Sequence, residues 1–178
     1  MKKLILITAT LFAGLLLFYL VFEGDAPEQA GVLQGERFLP LKTADIHGLK
    51  IVTQEGLTFK CLKDTDGSWN IIEGERKAKS SEKIHDFLEA ITSITELDYF
   101  SVHSTMLTQY GLQDPSIRIT LTDRTQKIYE VLVGDKTPTD STGVYVKLAD
   151  TDRIAILGAV FNWELYKLSS LFVFQEKQ

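Results

Sequence analysis

The chain predicts an α+β protein: a soluble domain of antiparallel sheets held behind one N-terminal transmembrane helix. Three observations lead there. Leu4 to Phe22 is a run of 19 residues without a charge. From Ile46 onward, short runs alternate apolar and polar residues, the period of strands wet on one face. Two later segments space their apolar residues at helical intervals, giving the order strands, helix, strands, helix and suggesting two related halves.

The first element follows from length. At about 1.5 Å per residue the uncharged run is a helix of roughly 28 Å, close to the ~30 Å hydrocarbon core of a bilayer. A cleaved signal peptide is the competing reading, but its apolar core is usually only ~7 to 15 residues and ends at a small-residue site. Here Glu23-Gly24-Asp25-Ala26-Pro27 follows instead, so an uncleaved anchor is expected. No cysteine closes the run, which argues against a lipoprotein. Lys2 and Lys3 precede the run while Glu23, Asp25 and Glu28 follow it. Basic flanks stay in the cytoplasm, which places the body of the chain in the periplasm of a bacterial inner membrane. Within the anchor, Ala9 with Ala13 and Thr10 with Gly14 have the small-xxx-small spacing that admits a second helix closely, as it also admits lipid.

The domain boundaries follow as 1–3 cytoplasmic tip, 4–22 anchor, 23–45 linker, 46–172 periplasmic domain and 173–178 tail. The linker is rich in Gly, Pro and charge, with Val32, Leu33, Phe38 and Leu41 as apolar points that can pack against the anchor's neighbours or the domain. Strands are expected at Ile46 to Thr53, Leu57 to Lys63 and Ser68 to Ile72, the last two joined by the turn Asp64-Thr65-Asp66-Gly67. Ser80 to Leu97 is expected as a helix, with Ser80 or Ser81 as N-cap and Ile84, Phe87, Leu88, Ile91, Ile94 and Leu97 on one stripe. After a link ending in Tyr110-Gly111-Leu112, strands are expected at Ile117 to Thr122, Ile128 to Val133, Val144 to Leu148 and Arg153 to Leu157. A closing helix places Phe161, Leu165, Leu168 and Phe172 inward. Trp163, Tyr166 and Phe172, with Phe174 beyond them, exceed what that stripe needs and form the candidate partner surface.

Charge and motifs narrow the chemistry. Setting aside Lys2 and Lys3, the soluble part has 17 basic against 24 acidic residues, which argues against nucleic acid as a partner. Gly134-Asp135-Lys136-Thr137 resembles a fragment of a phosphate loop, but Asp135 stands where G-x-x-x-x-G-K-[ST] requires its second glycine, and a strand rather than a helix follows. Asp64 to Gly67 fails the calcium-loop spacing and fits a hairpin turn. His47, His85, His103 and the lone Cys61 have no metal-ligand spacing. Cys61 is expected to be a buried inert thiol. No catalytic elbow or zinc-protease motif is present, so no enzyme activity, cofactor or metal is expected.

One resemblance is specific. Tyr110-Gly111-Leu112-Gln113-Asp114-Pro115, Val133-Gly134-Asp135-Lys136-Thr137-Pro138 and Gly143-Val144-Tyr145-Val146-Lys147 resemble, in order and spacing, the bacterial proteins catalogued as domain of unknown function 4340. The resemblance implies an envelope protein with a membrane helix, an auxiliary component of an ABC-type transport system; it implies no catalytic residues. The function expected is therefore a non-catalytic, membrane-anchored periplasmic accessory or scaffolding subunit. Its partners would be other integral membrane subunits, and the lipid bilayer through residues 4–22. The alternatives are a supernumerary subunit of an energy-transducing respiratory or photosynthetic complex and, from a different class, a periplasmic enzyme or small-ligand-binding domain.

Overall fold

A computed structural model describes residues 37–77, 79–101, 104–138 and 143–174 of the chain. The anchor 4–22, with Ala9, Thr10, Ala13 and Gly14, lies outside the described residues, as does His103. Among the described residues no helix is long and apolar enough to cross a membrane.

The α+β class stands, but the strands make one sheet rather than two. β1 (Ile46–Thr53), β2 (Leu57–Lys63) and β3 (Trp69–Glu73) form a meander, as do β5 (Ile117–Asp123), β6 (Ile128–Lys136), β7 (Val144–Leu148) and β8 (Arg153–Leu157). With β4 (Asp98–Ser101) they run in the order β3-β2-β1-β5-β6-β7-β8-β4, every pair antiparallel. The meanders are joined by the β1–β5 pair, in which Leu49 faces Leu121 and Ile51 faces Ile119. All four side chains are buried, so leaving the two sheets separate would expose this seam to water.

Two helices, α1 (Ser80–Ser93) and α2 (Ala159–Ser169), contribute to one core with the inward face of the sheet. From α1 come Ile84, Phe87, Leu88 and Ile91, all fully buried; each such side chain contributes about 1.5–3 kcal/mol relative to exposure. From α2 come Phe161, Leu165 and Leu168, with Phe87 and Phe161 meeting at 6.5 Å between ring centroids. Helix α1 ends four residues before the expected Leu97 because other backbone partners capture the chain: Phe38 N–H donates to Ile94 O at 3.2 Å, and Leu97 N–H donates to Ile156 O at 3.0 Å. These bonds feed the segment into β4 and leave Leu97 exposed. The expected serine cap is also absent, since Lys79 holds that position in a left-handed conformation, and the Ser80 hydroxyl bonds the backbone of Lys77. Phe38, Leu39 and Leu41 belong to the core, so the folded body starts before Ile46. At the other end Val173 and Phe174 form β9, a short strand paired with β2.

The turn at Asp64 to Gly67 is as expected: Asp64 N–H donates to Ser68 O at 2.8 Å and Gly67 N–H to Asp64 O at 3.0 Å. The expected inert thiol is found too. Cys61 is fully buried and free, and desolvation pushes its pKa up to about 12.

The motifs that carry the resemblance build a second, smaller core on the outward face of the sheet. A 3-10 helix, Ser104–Tyr110, lies between β4 and β5 in a stretch expected only as a link. Tyr110 packs at 5.2 Å from Phe100 of β4 and 4.9 Å from Tyr145 of β7, and Phe100 is paired across the strands with fully buried Ile154. β6 runs on through Gly134 to Lys136 rather than ending at Val133, with a register shift between Val133 and Lys136. Gly134 is required there: a methyl group on its Cα would lie 2.1 Å from the Tyr110 carbonyl oxygen and 3.1 Å from Leu112. Glycine in this motif admits neighbouring chain, not a phosphate. Gly111, at φ +66°, turns the segment between Tyr110 and buried Leu112.

Candidate contact surface

Helix α2 is apolar on two opposite faces. At about 100° per residue, Phe161, Leu165 and Leu168 share one side, and Val160, Trp163 and Tyr166 share the other. The first set is buried; the second is exposed by 63%, 60% and 71%. Trp163 and Tyr166 stack on each other at 6.0 Å and 27°, which holds the two rings together in one outward plate. Leu97 reaches the start of the helix, 3.2 Å from where a Cβ on Gly158 would lie, and is itself 67% exposed. Val160, Trp163 and Tyr166 thus form an outward apolar row along one helix.

The other expected partner residues do not join this row. Phe172 is half-buried and stacks on Phe59 at 6.1 Å, so it packs against the core instead. Phe174 is exposed, but on β9 at the sheet edge beside β2. Sequence reasoning passed over Val160 and assigned Leu97 to the buried stripe of α1. The signal available for Val160 was its three-residue spacing from Trp163 and Tyr166.

Charges around the row are closely balanced. Lys167 on α2 pairs with Glu164 at 2.7 Å and with Asp86 of α1 at 3.8 Å, and the Glu164 carboxylate raises its pKa above the usual lysine value. Beyond the helix, Ser170 receives Lys83 Nζ at its hydroxyl, 2.6 Å, and Lys77 Nζ at its carbonyl, 2.8 Å. Lys77 also pairs with Glu75 at 2.6 Å. Two cations thus sit where the helix presents its unsatisfied carbonyls.

Two hollows lie elsewhere on the domain. One, of about 170 Å³, is lined by Arg37, Phe38, Glu96, Leu148, Thr151 and Arg153 among others. Its Arg153 is already committed: the guanidinium pairs with Glu96 and lies 3.7 Å above the Tyr99 ring. The other, of about 300 Å³, lies at the start of α1 between Trp69, Ile71, Arg76, Lys77 and Lys79. Among the described residues no group of three or more His, Cys, Asp or Glu side chains could hold a metal ion. His47 and His85 lie apart, the first on β1 and the second beside Glu89 on α1 at 3.7 Å.

No curated protein and no solved structure matches the chain. Residues 101–168, from the end of β4 through the second core to all but the last residue of α2, match the family described as Domain of unknown function (DUF4340), the one that the Tyr110 to Lys147 motifs resemble.

Proposed function

We propose that this chain is a single-pass, membrane-anchored periplasmic accessory subunit that works by contact and carries no chemistry of its own. The observation that carries the reading is the exposed row on α2, because a stacked Trp–Tyr pair and Val160 facing water are costly unless covered in use. The uncharged run from Leu4 to Phe22 supports the anchor, and the charge asymmetry around it supports the periplasmic side. Contact is then available through Ala9, Thr10, Ala13 and Gly14 within the membrane, and through the exposed row of Trp163 and Tyr166 and through Phe174 outside it. The family resemblance favours an ABC-type envelope transport assembly as the host complex.

The test is purification of the full chain in mild detergent by a C-terminal tag, with identification of what co-elutes. Stoichiometric membrane subunits are the expected result. A monodisperse monomer without partners overturns the accessory role. A mature N-terminus that begins after Phe22 overturns the anchor.

A further inference from the structure

We propose that the outward face of α2 rests in the headgroup layer of the bilayer to which the chain is anchored, so that Val160, Trp163 and Tyr166 orient the domain on the membrane. This rests on the anchored reading above and names what the row meets first. Partner subunits are then met through the anchor and through Phe174 at the sheet edge.

Three features fit a lipid headgroup layer better than a protein groove. The first is chemistry: indole and phenol rings carry an apolar body and a hydrogen-bonding tip, and favour the headgroup depth of a membrane. The row is led by one of each, side by side, with a single aliphatic residue in line. Such a row suits a shallow, half-wet layer.

The second is charge. Lys167 and Lys77 each have carboxylate partners, and the soluble part as a whole is acidic. The face is thus close to neutral, suited to zwitterionic headgroups and not dependent on anionic lipid.

The third is reach. Fourteen residues separate Phe22 from Arg37, the first described residue. Fourteen residues span at most about 50 Å. A domain held that close meets the bilayer at an effective concentration of order mM, so a shallow row is enough to orient it.

The chain's two tryptophans make the proposal measurable. The full chain carrying Trp69→Phe keeps Trp163 as its only tryptophan. It is reconstituted into phosphatidylcholine vesicles with and without a headgroup-region spin label. We expect the label to quench Trp163 emission about twofold, as for an interfacial tryptophan. The quenching should persist at ~1 M salt, where the Debye length is about 3 Å. The companion chain, Trp163→Phe, reports from Trp69 on β3 and should be far less affected.

Equal emission with and without the label, in vesicles that retain the chain at high pH, overturns this inference and leaves the anchor standing. Loss of the chain from the vesicles overturns the anchored reading as well. Protection of Trp163 from a water-soluble quencher in native membranes but not in pure lipid assigns the row to a protein partner, and also overturns the inference.

Discussion

Gly134→Ala is the most direct perturbation of the motif that defines the domain. The added methyl would stand 2.1 Å from the Tyr110 carbonyl oxygen, over 1 Å inside an ordinary contact, and that oxygen is backbone. Either β6 or the segment around Tyr110 must move. Tyr110 carries ring contacts to Phe100 and Tyr145, and Leu112 beyond it is buried, so the motion spreads through the second core. Overpacking of this kind costs about 1–3 kcal/mol, and at about 3 °C per kcal/mol for a domain of this size the melting midpoint should fall by about 3–9 °C. The control is Gly56→Ala, at φ +86° with nothing within 4 Å of the new methyl, where only backbone strain of about 1 kcal/mol is incurred. Thermal unfolding of the full chain in detergent, followed by circular dichroism, reads both. The packing account fails if Gly134→Ala melts within about a degree of the wild type, or no lower than Gly56→Ala.

Three further outcomes follow from the buried polar groups. The Cys61 thiol, pushed up to about 12 from an ordinary 9.0, should resist alkylation in the folded chain and react on unfolding; because the folded state holds its proton longer, this stabilisation is complete below pH 9.0 and disappears as pH climbs toward about 12. Fast labelling of the native protein at neutral pH would contradict it. The Asp123 carboxylate accepts Thr125 Oγ at 2.7 Å, Thr125 N–H at 2.7 Å and Lys127 N–H at 3.0 Å, which hold its pKa below the usual carboxylate value. Its contribution is present above that value and lost on acidification, so Asp123→Asn should flatten the fall of the urea midpoint between about pH 5 and 3. Arg153→Ala removes this partner from Glu96, whose side chain is 5% exposed, and should cost about 3 kcal/mol in a urea titration; adding Glu96→Leu should recover much of it.

Local patterns in the chain were readable because their physical period is local. Ile117, Ile119 and Leu121 alternate with polar residues since one face of β5 is buried, and Ile84, Phe87, Leu88 and Ile91 recur at helical spacing since one stripe of α1 is buried. Strand and helix positions, the Asp64 turn and the family of the Tyr110 to Lys147 stretch all came from such signals. Where the reading failed, a distant partner had decided. Leu97 continues the apolar spacing of α1, yet bonds from Phe38 and to Ile156 end the helix before it. Phe172 fits the inward stripe of α2 by spacing, but its place is set by stacking on Phe59.

By itself the sequence determined the α+β class, the order of most elements, the inertness of Cys61 and the mismatch between Gly134-Asp135-Lys136-Thr137 and a phosphate loop. Those follow from periodicity, composition and fixed motif spacing, which one chain carries along its length. Tertiary structure alone decided that the two meanders join at β1 and β5 into a single nine-stranded sheet, that β4 and the 3-10 helix complete its far end, and that α2 turns Trp163 and Tyr166 outward. Each of these depends on which buried surfaces meet across the chain, and an apolar residue has the same local signature whether its neighbour is the core or solvent.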